Sequence, residues 1–197
     1  MGFFSNLFKS SEDKEMEKIY KRIYQFLNND ELQNQNIPEF FEYLYKKGHR
    51  DYIQGARGEF GRCVTNPIPV NGVIGEITYL SKLLLIGTNE KIFFHRLGSC
   101  VGNVDLYQIV SLSGNFVDEL YLDMYNYHKS NLVPQGYIMQ KDVQGIRGID
   151  SCSLNFPLNF YSDLLSNTKS IIGFPAIDTD AKFINIDNAI RNLNRFK

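Results

Sequence analysis

The 197 residues are 43% hydrophobic, 22% charged and 14% aromatic, a composition of one globular domain or a small domain with an appendage, which excludes a disordered or collagen-like chain. Twenty-one Lys and Arg stand against 22 Asp and Glu, a net charge of -1, so counterion release onto a nucleic acid is weak and no nucleic-acid partner is expected. Cys63, Cys100 and Cys152 are widely spaced and odd in number, which fits reduced thiols in the cytoplasm rather than a disulfide framework or a zinc knuckle.

The N-terminal run Gly2-Phe3-Phe4-Ser5-Asn6-Leu7-Phe8 is apolar, but Asn6 stands where a myristoylation signal carries Ser or Thr. The run also breaks too early for a secretory core. No window approaches about 18 uninterrupted apolar residues, so no membrane-spanning helix is expected. A weak interfacial anchor of Phe3, Phe4, Leu7 and Phe8 ranks below a lead-in that packs on the domain.

From Ser10 to Asn29, Met16, Ile19, Tyr20, Ile23, Tyr24 and Leu27 recur at steps of three and four, which predicts a helix with one buried face. The polar run Asn28 to Asn36 ends it. Asn36-Ile37-Pro38-Glu39 then reads as a second helix start and Gly48 as the close of a helix through Lys47, giving a helical hairpin over residues 1–48. Glycines 55, 58, 61, 72 and 75 with Pro67 and Pro69 punctuate the next stretch and mark the change to a sheet-rich unit over 49–197.

Four apolar or β-branched runs, Glu76 to Leu85, Lys91 to Leu97, Val104 to Leu112 and Phe116 to Tyr125, are joined by hairpin-length connections and predict an antiparallel meander. Asn126 to Asp180 is irregular and adds one or two edge strands. Phe183, Ile186, Ile190 and Leu193 recover helical spacing at the C-terminal end. The expected class is α+β: an N-terminal helical hairpin, a central antiparallel meander of about four to six strands and a C-terminal helix.

Four groups of residues carry candidate chemistry. His95, Cys100 and Asp105 would form a nucleophile, base and orienting carboxylate if they met in space, though no cysteine-protease signature surrounds Cys100. His49, His95 and His128 with Asp123 or Asp105 have metal-ligand chemistry without metal-ligand spacing, so no metal and no cofactor is expected. Arg50, Arg57, Arg62 and Arg147 lie in or echo a Gly-rich stretch, Gly55-Ala56-Arg57-Gly58 recurring as Gly145-Ile146-Arg147-Gly148. Such arginines suit phosphate or carboxylate, but the Walker pattern is absent. Finally, strand alternation places Glu119, Tyr121, Asp123 and Tyr125 on one face and Asp118, Leu120, Leu122 and Met124 on the other. The tyrosine and carboxylate face suits a basic protein partner.

The first-ranked expectation is a non-enzymatic cytoplasmic binding module, in the manner of an immunity protein that neutralises a toxin by occlusion. A small hydrolase or phosphoryl-ligand enzyme, built on His95 and Cys100 or on the arginine-rich stretch, ranks second. A peripheral membrane protein ranks third.

Overall fold

A computed structural model describes residues 11–35, 51–100 and 104–196. The aromatic N-terminal run, the helix expected through Lys47, His49 and Arg50 lie outside them. Within the described residues the chain is α+β, with helices towards both ends of the chain, a mixed five-stranded sheet and a separate two-stranded sheet.

Helix α1 (Ser11–Leu27) forms where its spacing predicts, with Leu27 buried and Ile19, Ile23 and Phe26 half-buried on one stripe. Met16, Tyr20 and Tyr24 of the expected buried face are exposed, so the packed stripe is narrower than the apolar one. The polar run expected as a break holds a short helix α2 (Asp30–Asn34), which Asn29 caps, its side-chain oxygen accepting from Leu32 N at 3.0 Å. That cap satisfies one of the amides a new helix leaves open. Asn28 exchanges hydrogen bonds with the backbone of Val143, its Oδ1 accepting at 2.6 Å and its Nδ2 donating at 3.1 Å. The helices are thereby stitched to a distant loop. Lys129 completes the attachment: its ammonium pairs with Asp30 and donates to Gln33 Oε1 at 2.8 Å and Asn71 Oδ1 at 3.1 Å.

Beyond β1 (Ile68–Pro69), the run expected as the first meander strand departs from expectation. Its first part is helix α3 (Gly72–Lys82), and β2 (Leu83–Leu85) follows directly. The reason is burial on nearly every side: Glu76, Ile77, Thr78, Tyr79, Leu80 and Ser81 are all buried. A helix enclosed this way loses the polar stripe that would distinguish it from an apolar strand. Thr78, β-branched and out of place in a helix, donates its hydroxyl to Ile74 O at 2.7 Å.

The next three runs form the antiparallel meander β3 (Ile92–Ser99), β4 (Val104–Ser111) and β5 (Val117–Asp123). Two short strands fall in the irregular region, β6 (Tyr137–Met139) paired with β2, and β7 (Gly148–Ile149). The main sheet runs β1-β5-β4-β3-β7, with both edge strands parallel to their neighbours. Helix α4 (Phe160–Ile172), a short 3-10 turn (Thr179–Phe183) and α5 (Ile186–Phe196) close the chain.

The register determines which residues share a face, because directly opposed residues point the same way. His95, Gln108 and Glu119 form one row, and Arg96, Tyr107 and Leu120 the adjacent row on the opposite face. The His95 face receives α4: Phe160 meets Phe93 edge-on at 6.4 Å, and Phe156 stacks on His95 at 4.2 Å. The Tyr107 face receives α3 through a hydrogen bond from Tyr107 Oη to Glu76 Oε2 at 3.0 Å.

Gly114 and Gly148 are among the glycines that close approach requires. Gly114 in the β4–β5 hairpin has φ +69°, and a Cβ there would lie 2.4 Å from Asn185 O and 2.5 Å from Ala189 N at the start of α5. Gly148 in β7 lies under the ring of Phe94, and a Cβ would come within 2.0 Å of it. Phe94 is fully buried and has nowhere to retreat. Gly148→Ala is expected to cost about 1–3 kcal/mol, the usual range for overpacking a core, read as a lower urea midpoint at unchanged slope. An unchanged midpoint would mean that the β3–β7 seam is not tightly packed.

Candidate protein-docking face

Along β5 the alternation is regular: Asp118, Leu120 and Leu122 are buried, while Glu119, Tyr121 and Asp123 are half-buried on the other side. Residues two apart on a strand are about 7 Å apart, so two carboxylates flank one phenol in a short line. Leu106, opposite Tyr121 on β4, is half-buried and extends the line sideways. The Gly-rich segment borders it, since Tyr121 N donates to Gly61 O at 2.8 Å. Burial, with the nearby Cys100, Glu119 and Cys63, raises the Tyr121 hydroxyl above its ordinary range, so it remains an uncharged donor and acceptor.

Two members of the set behave differently from simple alternation. Asp123 also organises the strand end, its Oδ1 accepting from Tyr125 N at 3.0 Å. Tyr125 lies beyond β5, where strict alternation no longer governs direction. Its hydroxyl is raised by burial and then by Asp105, Asp123 and Glu76, which places it within electrostatic reach of groups on the sheet's other side.

The remaining candidates are held by local partners. His95 is buried, its Nε2 lies 3.3 Å from Gln108 Oε1 and its Nδ1 accepts from Ser153 N at 3.2 Å. Burial pulls the ring below the usual histidine range, with Gln108 opposing. Asp105 belongs to the opposite face, where its Oδ1 accepts from Arg96 Nη2 and Ser99 Oγ, each at 2.7 Å. The register therefore separates the imidazole from the carboxylate, and the imidazole nitrogens are engaged by Gln108 and the Ser153 amide. Cys100 is half-buried just past the end of β3.

Arg62 makes paired hydrogen bonds to Asp118, reaches Glu59 and Gln135 O, and lies over the Tyr137 ring. Arg147 is 1% exposed, with Nε on Asp178 Oδ2 at 3.0 Å, Nη1 on Leu83 O at 3.0 Å and Nη2 on Gln140. The two arginines thus serve different carboxylates. Arg57 is exposed in the Gly-rich segment. His128 stands apart from His95, its Nδ1 lying 3.5 Å from Asp30. Among the described residues no group of three or more His, Cys, Asp or Glu side chains is arranged to hold a metal, and no helix is long and apolar enough to cross a membrane.

One cluster was missed by sequence reasoning. Glu76, on α3, is fully buried against Tyr107, and Asp105 stands within hydrogen-bonding reach of its carboxyl. The available signal was a lone acid inside the apolar run Val73 to Leu85, which the strand expected over Glu76 to Leu85 places at its first residue.

No family model, curated protein or solved structure matches this chain.

Proposed function

We propose that this protein is a non-enzymatic binding module of the cytoplasm that docks a basic protein partner on the β5 face, as an immunity protein does when it occludes a toxin. The observation carrying this reading is the line Glu119, Tyr121 and Asp123, half-buried on a strand whose alternate residues are anchored in the core. Tyrosine presents a stiff amphipathic surface with little rotamer freedom to lose, which is why it recurs at the energetic centres of interfaces. The flanking carboxylates steer a cationic partner and speed encounter. The engagement of His95 by Gln108 and Ser153 supports binding over cysteine chemistry.

The test compares the wild-type chain with Glu119→Gln/Tyr121→Ala, leaving Asp123 intact because it holds the strand end. A basic protein captured by the wild type from native lysate and identified by mass spectrometry should bind the double variant at least 30-fold more weakly, the scale of losing one interface hot spot of about 2 kcal/mol. Its association rate with the wild type should fall as salt is raised. Equal affinities for the two chains would exclude this face.

A further inference from the structure

The carboxyl group of Glu76 faces an arrangement that a carboxylate does not satisfy. The residue is fully buried. Its Oε2 accepts from Tyr107 Oη at 3.0 Å, while its Oε1 is buried with no hydrogen-bond donor among the described residues. The neighbour within reach is another acceptor, Asp105, whose Oδ1 is already occupied by Arg96 and Ser99. An ionised carboxyl has only acceptors to offer, so two facing carboxylates leave Glu76 Oε1 without a donor; a protonated one gains an O–H donor.

We propose that Glu76 is kept as the neutral acid at neutral pH, with a proton on Oε1 donated to Asp105, and that this shared proton locks α3 onto the sheet until alkaline pH removes it. The geometry accounts for each atom. Oε2 takes the Tyr107 hydrogen, Oε1 gives its own to Asp105, and Asp105 keeps the negative charge because Arg96 and Ser99 stabilise it. When the proton leaves to solvent, a second negative charge appears in a buried site and faces the first.

The charges around the pair act in a consistent direction. Burial first, then Asp105, push Glu76 well above the ordinary glutamate range, while Tyr107 and Arg96 oppose them. Tyr125 from beyond β5 lies within electrostatic reach of both Asp105 and Glu76, and Asp150 from beyond β7 acts on Tyr107. On the α2 side, Asp30 directs its charge to Lys129. Because the folded acid binds its proton more tightly than the unfolded one, its contribution to stability is complete below the ordinary carboxyl range and is lost as pH rises through the raised value.

Carbon-13 NMR of the wild-type chain labelled at glutamate carboxyls tests this without a variant. One signal should keep the chemical shift of a protonated acid at pH 7 and should be missing from Glu76→Gln, whose amide reproduces both hydrogen bonds. If every glutamate titrates in the ordinary range, or if the retained proton is found on Asp105, the proposal falls. Asp105→Asn should lower the Glu76 titration by about one pH unit or more by removing the facing charge. Thermal melts from pH 5 to 9 examine the lock itself: the wild-type chain should lose ground to Glu76→Gln as pH rises, and parallel curves would show that no lock is released.

Discussion

Asp178→Ala is expected to destabilise the fold by about 3–5 kcal/mol, the cost of leaving a buried cation without its partner. Arg147 is 1% exposed and bonds Asp178 through Nε, while Lys91 reaches the same carboxylate at 2.8 Å. Lys91 retains Asp180 at 2.6 Å and lies partly in water. Arg147 has no such refuge, since its other donors already meet Leu83 O and Gln140. The loss should appear as a large drop in urea midpoint, and a cost below about 1 kcal/mol would mean that water reaches the guanidinium. Asp178 also gives a pH signature. Burial pushes it up, but Lys91, the Asp180 amide and Arg147 together hold it below the ordinary aspartate range. Its contribution is therefore complete above the ordinary range and is lost as pH falls through the depressed value.

Phe160→Ala is expected to cost a similar amount, about 3–5 kcal/mol, because a fully buried aromatic leaves a cavity that its surroundings fill only in part. Phe160 opens α4, is 1% exposed, and meets Phe93 at 6.4 Å and Phe156 at 4.9 Å, both edge-on. Phe156 in turn stacks on His95. Loosening this chain of rings should also admit water to the imidazole, so the His95 titration, now lowered chiefly by burial, should move up towards the ordinary histidine value. Proton NMR of the variant separates this from a uniform loss of stability: a destabilised chain whose His95 titration stays in place would show that other residues enclose the ring.

The elements legible in the sequence are those whose two sides differ in polarity. Helix α1 shows its stripe because solvent covers most of its surface, and β5 shows its alternation because one side stays half-exposed. Helix α3 shows neither, being enclosed, and its apolar residues read equally well as a strand. An edge strand was expected in the irregular region where β7 lies, but the exact position and parallel direction of β7 and β1 were hidden, as two residues are too few to carry a period. At the site level, the Glu119 to Asp123 line could be read directly, since it depends on a single strand. The separation of His95 from Asp105 could not: it depends on the pairing of β3 with β4, including the irregularity between Arg96 and Gly98. The environments of Arg62 and Arg147 were similarly closed to sequence reasoning, because their carboxylates lie 56 and 31 residues away.

The five-stranded sheet ends on both sides in strands of only two residues, β1 and β7. Such stubs offer little open backbone for a foreign strand to zip onto, so edge-to-edge polymerisation is disfavoured from the outset. The same brevity narrows how any visitor can be recognised. A ladder added to β1 or β7 themselves would have only two residues over which to form, so side-chain contacts offer the longer reach there.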